Sequence, residues 1–238
     1  MLLDIAQLGY RRGQGDQAFT VLLPSLSVQR GETLALTGAS GSGKSTLLEL
    51  LGLVAAPLPG ALFHWHGSEA EPLDIAALWR ADAQGRLARL RAGSLGFVMQ
   101  TGGLLPYLTV RENININRRL LGLGDDQGAI GHLVDTLEIG DLMGRRPAQL
   151  SIGQQQRASI ARALAHGPAL LLADEPSSAL DPRLADRVLG LLRDLAKGLG
   201  TAVVIATHDR HYVRDLGLRE LRARPWDEGG DRGTCFEE

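Results

Sequence analysis

The sequence predicts an α/β domain whose mostly parallel β-sheet is covered by helices on both faces. Short apolar runs typical of buried strands alternate with segments of helical periodicity. A glycine-rich loop lies between one of these strands and a helix, a junction characteristic of such sheets. Of the 238 residues, 44% are hydrophobic and 22% are charged, as in an ordinary globular chain. The chain is long enough to bury a large core.

Charge and cysteine content exclude several classes of protein. The formal net charge of −2 provides no basic field for non-specific nucleic-acid binding, so we expect no nucleic-acid partner. The single cysteine, Cys235, excludes a disulfide framework. Asp4 and Gln7 interrupt the first apolar run, and Pro57 and Pro59 interrupt the most apolar stretch. We therefore expect no signal peptide, no spanning helix and a cytosolic location.

The first part of the chain predicts three strands and a helix. Residues 3–8 and 19–23 have strand-like patterns and flank a polar, glycine-rich turn at 9–16. Residues 33–37 form a short apolar run typical of a buried strand. A helix at 44–53 follows, with leucines along its buried side.

Strands and helices then alternate, apart from one helical block. In chain order we predict a strand at 61–66, a helix at 75–92, strands at 94–99 and 169–173, a helix opened by Asp181-Pro182 and a strand at 201–206. Residues 108–165 show helical periodicity throughout, and Thr109 with Glu112 matches a capping box. We interpret this block as a helical subdomain, at about 101–166, inserted in the core. The polar tail at 226–238 predicts a loose end.

The strongest local motif is the glycine-rich loop itself. Its residues are Gly38, Ala39, Ser40, Gly41, Ser42, Gly43, Lys44, Ser45 and Thr46, which fit the P-loop pattern. Glycines let successive N–H groups curl around phosphate oxygens at a helix N-terminus. In such a loop Lys44 bridges the β- and γ-phosphates and Ser45 ligates Mg²⁺. The sequence therefore predicts an ATP site that requires magnesium.

A second motif places two carboxylates after an apolar strand. Residues 170–173 are apolar and lead into Asp174 and Glu175. We expect Asp174 to hold Mg²⁺, directly or through water. Glu175 is then placed to act as general base toward the attacking water.

A third motif resembles the signature of ATP-binding-cassette (ABC) ATPases, Leu-Ser-Gly-Gly-Gln. Leu150, Ser151, Ile152, Gly153 and Gln154 stand shortly upstream of the paired carboxylates. Further positions match the same family in the family's order. They are Tyr10 for the aromatic residue on adenine, Gln100 for the Q-loop, Ser178-Ala179-Leu180-Asp181 for the D-loop and His208 for the switch histidine. The resemblance covers roughly residues 2–215.

The resemblance implies a P-loop ABC-type ATPase core, with a flanking antiparallel β-subdomain and an inserted helical subdomain. It implies one domain over 1–215, followed by a short C-terminal extension at 216–238. It also implies a head-to-tail dimer, for which we expect two identical chains. Lys44, Ser45, Gln100, Asp174, Glu175 and His208 then act from one chain, with Gln100 also near the metal. Ser151, Gly153, Gln154 and Asp181 act on the same nucleotide from the other chain.

Ile152 departs from the family pattern, because the first signature glycine usually stands there. The family's contacts with phosphate at this point come from the serine and from backbone N–H groups. We therefore expect an isoleucine side chain that points away to be tolerated.

We expect the ATPase subunit of an ABC transporter, at the cytoplasmic face of the inner (plasma) membrane, that drives a separate permease. Residues 100–113 resemble the lipoprotein-release and macrolide-export branch, which favours export or extraction. The apolar segment 104–108 contains Pro106, so it predicts a loop, and we expect the permease to dock near 100–108. The alternative is an ABC-type ATPase unconnected with transport, in protein assembly or nucleic-acid maintenance. The sequence shows neither the long coiled-coil insertion of repair cassettes nor the tandem cassettes of translation factors.

The sequence leaves the cargo, the direction of transport and the identity of the permease open. Two arginine pairs, Arg118-Arg119 and Arg145-Arg146, are interpreted as solvated helix ends.

Overall fold

The computed structural model describes residues 1–14, 18–67, 71–100, 102–124, 127–228 and 231–238. The first half contains β1 (Leu3–Arg12), β2 (Phe19–Val28), β3 (Thr33–Thr37), α1 (Lys44–Leu51), β4 (Leu62–Trp65), β5 (Leu73–Asp74), α2 (Ile75–Arg80), α3 (Gln84–Ser94) and β6 (Leu95–Val98). The second half contains α4 (Val110–Leu120), α5 (Gln127–Thr136), α6 (Ile152–Leu164), β7 (Leu170–Asp174), α7 (Pro182–Leu199), β8 (Ala202–Thr207), α8 (Arg210–Asp215), β9 (Arg219–Glu228) and β10 (Asp231–Glu237).

The described strands form one sheet in the order β5-β4-β1-β2-β10-β9-β3-β8-β7-β6. Parallel pairing joins β6, β7, β8, β3 and β9, while β1, β2, β4 and β5 pair antiparallel. The predicted fold class is confirmed: a parallel half is flanked by an antiparallel half. The carboxyl ends of β3, β7 and β8 meet at one edge, where open α/β sheets place their ligands.

Strand β7 shows how the parallel half is buried on both faces. Its residues alternate between two hydrophobic clusters. Leu170 and Leu172 pack into the cluster that contains the leucines of α1, whereas Leu171 and Ala173 pack with α6 and α7. This period-two alternation is that of a strand covered on both sides. The strand ends at Asp174, so the first charged side chain emerges at the edge of the sheet.

The prediction of a loose C-terminal tail is wrong. Strand β9 pairs in parallel with β3, and β10 pairs with both β9 and β2, so this hairpin joins the two halves of the sheet. Phe236 is fully buried. At Gly233 an added Cβ would overlap the carbonyl oxygen of Thr20, so only glycine fits there. The tail looked like a loop because it contains glycines and several charged residues. Residues 219–228 and 231–237 are therefore part of the sheet and do not form an appended extension.

Three smaller differences concern element boundaries. Strand β1 continues to Arg12, into the segment 9–16 predicted as a turn, of which residues 15 and 16 lie outside the described chain. The single helix predicted at 75–92 is divided into α2 and α3 around Asp82, whose φ is 48°. The helical block between β6 and β7 contains α4, α5 and α6, and Thr109 and Glu112 form the predicted capping box at α4.

Within the described ranges, no helix combines the length and the apolar character needed to cross a bilayer.

Candidate active site

The P-loop follows β3 and opens α1, as the sequence predicts. Gly41 and Gly43 have φ of 77° and 86°, in the left-handed region that glycine adopts without steric cost. Gly43 also leaves room for Val21, because an added Cβ would lie 2.6 Å from Val21 Cγ2. The Lys44 amine donates to the carbonyl oxygens of Gly38 at 2.9 Å and Ala39 at 3.0 Å. The loop thus holds the Lys44 side chain folded back against its backbone. The ammonium group of Lys44 lies beside the space that the loop encloses.

Ser45 and Asp174 provide the oxygen atoms that a magnesium ion prefers. Ser45 Oγ donates to Asp174 Oδ2 at 2.6 Å, although the two residues are far apart in sequence. Asp174 reaches this position from the end of β7, and Ser45 from the first turn of α1. A hydroxyl and a carboxylate that converge in this way fit a hard divalent cation. Gln100, the third predicted ligand, lies nearer to the next carboxylate along the chain.

That carboxylate, Glu175, lies between two other predicted site residues. Gln100 Nε2 donates to Glu175 Oε2 at 3.5 Å, and His208 Nδ1 lies 3.2 Å from Glu175 Oε1. Glu175 has a φ of 48°, rare for a residue other than glycine, and its N–H donates to the carbonyl of Ala206 on β8. Such backbone strain is often found at functional sites, where neighbouring structure holds it in place. Gln100 and His208 therefore both contact Glu175, and the sequence predicted all three residues as catalytic.

A cavity of about 350 Å³ brings most of these residues together. Ser40 to Thr46, Gln100, Asp174 and Glu175 line it. Two residues that the sequence analysis missed, Arg12 and Phe19, line it as well. They face each other across β1 and β2 in register. Side chains two residues apart on a strand lie on the same face, so the spacing from Tyr10 could have predicted that Arg12 shares its strand face.

Tyr10 does not line this cavity. It lies on β1 opposite Val21, which contacts the P-loop at Gly43, and its ring packs partly against the hydrophobic core. Its adenine-stacking role stays a prediction. The position next to the P-loop contact is compatible with that role.

The signature residues lie outside this cavity. Ser151 caps α6: its hydroxyl accepts from the N–H of Gln154 at 3.3 Å, and the Gln154 side chain accepts from the N–H of Ser151 at 2.9 Å. Gly153 lies against the D-loop, because an added Cβ would be 3.1 Å from the carbonyl oxygen of Ala179. Ile152 is 74% exposed on the same surface, and the tolerance of its side chain there stays a prediction. Asp181 caps α7 by accepting from Leu184 N.

The segment 104–108 is a loop, as predicted, and its apolar side chains differ in exposure. Tyr107 is 67% exposed, whereas Leu104 packs against the hydrophobic cluster of the helical subdomain. Buried Asn113 holds the loop, since its amide donates to the carbonyl oxygens of Leu105 and Leu108. The sequence analysis overlooked Asn113, because an asparagine on a helix gives no signal of such a role. Tyr107 is therefore the main exposed apolar side chain of the predicted docking segment.

The family model described as "ABC transporter" matches residues 23–178, which include the P-loop, the signature and both carboxylates. The chain belongs to the ABC transporter family. Accordingly, it is an ABC-type ATPase whose nucleotide is ATP with magnesium, as predicted.

Relatives in this family include export and release systems. The chain is 39% identical over 236 residues to the macrolide export ATP-binding/permease protein MacB of Marinobacter nauticus, covering 98% of this chain and 35% of that protein. It is 41% identical over 204 residues to the lipoprotein-releasing system ATP-binding protein LolD of Aquifex aeolicus, covering 84% of this chain and 85% of that protein. The chain thus spans about a third of the length of its MacB relatives.

Solved structures confirm the ABC fold. The ATP-binding cassette MJ0796, in a dimeric post-hydrolysis state bound to ADP and Pi, has a TM-score of 0.77 and 29% sequence identity, over 90% of each chain. A second dimeric structure of MJ0796 gives a TM-score of 0.75 and 30% identity. The match covers both the sheet and the helical subdomain, because it extends over nine tenths of the chain.

Proposed function

We propose that this chain is the ATP-hydrolysing subunit of an export or extraction transporter. It works as a dimer of identical chains and drives a separate membrane permease from the cytoplasmic face of the inner (plasma) membrane. The observation that carries the proposal is the convergence on Glu175 of Gln100 and His208, beside the P-loop cavity. The names of the MacB and LolD relatives support export and release.

Within one chain, each residue has a distinct task. The P-loop N–H groups and Lys44 bind the phosphates, and Ser45, Asp174 and Gln100 hold magnesium. When bound, magnesium offsets charge on the phosphate oxygens. Glu175 takes a proton from a water molecule as the water oxygen bonds to the γ-phosphorus and the bond from that phosphorus to the bridging oxygen breaks. His208 orients the Glu175 carboxylate, so its role includes positioning.

The second copy is needed because the signature lies elsewhere on the chain. Among the described residues that line the P-loop cavity, none comes from the signature or from Asp181. Ser151 and Gly153 lie at the exposed start of α6, beside the D-loop. A partner that presents this surface to the P-loop cavity completes the site with Ser151, Gly153, Gln154 and Asp181. ATP then joins the two copies, and hydrolysis separates them.

The coupling to a permease is tested through Tyr107. Tyr107→Glu places a charge on the most exposed apolar side chain of the docking loop and leaves the core unchanged. The control is Val54→Glu, since Val54 is 59% exposed and lies outside this loop. We expect Tyr107→Glu to hydrolyse ATP like the wild type, but to lose copurification with an integral membrane protein in the native cells and the stimulation of hydrolysis by that protein. Equal copurification of both variants contradicts docking at this loop, and an absent membrane partner for the wild type contradicts the transport function.

A further inference from the structure

The two arginine pairs interpreted as separate helix ends lie on one face of the helical subdomain. The N–H of Val110 donates to the carbonyl oxygen of Arg145 at 2.8 Å, and the N–H of Arg111 donates to that of Met143 at 3.0 Å. These bonds hold the 143–146 segment against the start of α4. On α4, Arg111, Asn115, Arg118 and Arg119 follow helical spacing and share its outer side. Sequence alone could not bring the pairs together, because Arg119 and Arg145 are 26 positions apart in the chain.

This face carries positive charge that the described chain does not neutralise. Arg111, Arg119, Arg145 and Arg146 are exposed, and none of them forms an ion pair with a described carboxylate. The neighbouring carboxylate, Glu112, is engaged by the backbone and hydroxyl of Thr109 at 2.8 Å each.

The pKa of Glu112 reflects this clustering. Hydrogen bonds from Thr109 lower that pKa most, and the charges of Arg119 and Arg146 lower it further. One arginine from each pair thus acts on the same carboxylate. On a chain with a net charge of −2, this face is a local exception.

The face is grooved, with two cavities on either side of Arg111 and Asn115. One, of about 250 Å³, extends past Arg118 and Arg119 to the exposed side chain of Leu123. The other, of about 340 Å³, is walled by Val134 and Met143. We call these two cavities together the arginine groove.

A glycine keeps the second cavity open. Gly131 lines it, and an added Cβ at Gly131 would meet no atom within 4 Å. The cavity is therefore space that a larger side chain can fill without strain.

We propose that the arginine groove binds an acidic segment of the membrane partner, with carboxylates at Arg111 and Arg119 and an apolar side chain against Val134 and Met143. This inference rests on the proposed transport function. Charge complementarity selects an acidic occupant, because an acidic group there gains guanidinium partners that form no ion pair with a described carboxylate. The paired cavities, polar at one end and apolar-walled at the other, favour a protein chain over the flat surface of lipid headgroups. The groove extends the docking surface for the permease beyond Tyr107, and it makes that surface positively charged.

Peptide binding to purified variants tests this proposal. The probe is a fluorescent peptide of repeated Glu-Glu-Leu units, compared with its Gln-Gln-Leu counterpart and with vesicles of phosphatidylglycerol. Arg111→Glu with Arg119→Glu reverses the charge of the groove, and Gly131→Leu fills its second cavity. The control is Arg86→Glu with Arg89→Glu, an equal charge change on exposed residues of α3.

We expect saturable binding of the acidic peptide that weakens with salt and is weaker by at least ~10-fold in the Arg111/Arg119 variant. Gly131→Leu should weaken it comparably, while the α3 control binds like the wild type. The Arg111/Arg119 variant should also reduce copurification with the membrane partner. All variants should hydrolyse ATP normally, because the groove lies outside the active site.

Four results would overturn the inference. Equal peptide binding by the Arg111/Arg119 variant and the wild type excludes the groove, and so does equal loss in the α3 control. Arginine-dependent binding to vesicles, with no effect of Gly131→Leu, assigns the face to lipid headgroups. A wild type that hydrolyses ATP but binds no peptide contradicts this inference alone, whereas a wild type that hydrolyses no ATP contradicts the proposed function.

Discussion

Replacing Glu175 by glutamine removes the proposed base with little change of shape. Glutamine has the same length, so it can keep its contacts with Gln100 and His208, now at 3.5 Å and 3.2 Å. What it loses is a carboxylate that can accept the proton of water. A positioned general base contributes about 10²–10⁴-fold to rate, or about 2.7–5.5 kcal/mol of activation free energy. We therefore expect turnover to fall by at least ~10²-fold while ATP affinity stays within a few-fold.

The assay compares phosphate release at saturating ATP with binding of a fluorescent ATP analogue. Glu138→Gln is the matched control, because Glu138 also has a left-handed φ, 51°, but lies outside the cavity and pairs with Arg187. The control should retain wild-type turnover. If Glu175→Gln hydrolyses ATP within a few-fold of the wild-type rate, Glu175 is not the base. If it loses ATP binding, its role is structural.

Four further changes test separate parts of the account. Tyr10→Ala should weaken ATP binding by about 1–3 kcal/mol and Tyr10→Trp should retain it, whereas equal affinity of both in titrations rejects stacking on adenine. Ile152→Gly should keep ATPase activity within a few-fold, because the exposed isoleucine side chain makes no contribution that glycine lacks. Phe236→Ala should lower the free energy of unfolding in urea by about 3–5 kcal/mol, as for other buried aromatic side chains. If the tail were loose, this free energy would not change. Burial lowers the pKa of His166 below its ordinary value of 6.5, so on acidification the unfolded chain is protonated at this residue before the folded chain. The free energy of unfolding should therefore fall as the pH drops below 6.5. His166→Asn should reduce this pH dependence.

The sequence indicates which residues come together at the candidate site because its motifs are local. The P-loop, Asp174 and Glu175 each occupy one strand end and the residues that follow, so chain order sets their positions. Arg12 and Phe19 were missed, because their place in the cavity depends on the register between β1 and β2.

Non-local features were harder to predict. Strands β9 and β10 join distant strands, and the glycines and charged residues around Phe236 concealed its burial. The convergence of Arg111 with Arg145 depends on backbone bonds between separate segments. A pattern in sequence reports period and local turns, whereas it does not report which distant segments pack together.

We propose that a second copy of the chain completes the ATP site. The most direct test is the mass of Glu175→Gln in solution, measured by light scattering with and without ATP and magnesium. The account predicts a monomer without nucleotide, a dimer with ATP, and no dimer when Ser151→Arg is added, because that side chain places bulk and charge at the partner's nucleotide. A Glu175→Gln chain that binds ATP but stays monomeric, or a dimer that persists with arginine at position 151, would contradict it.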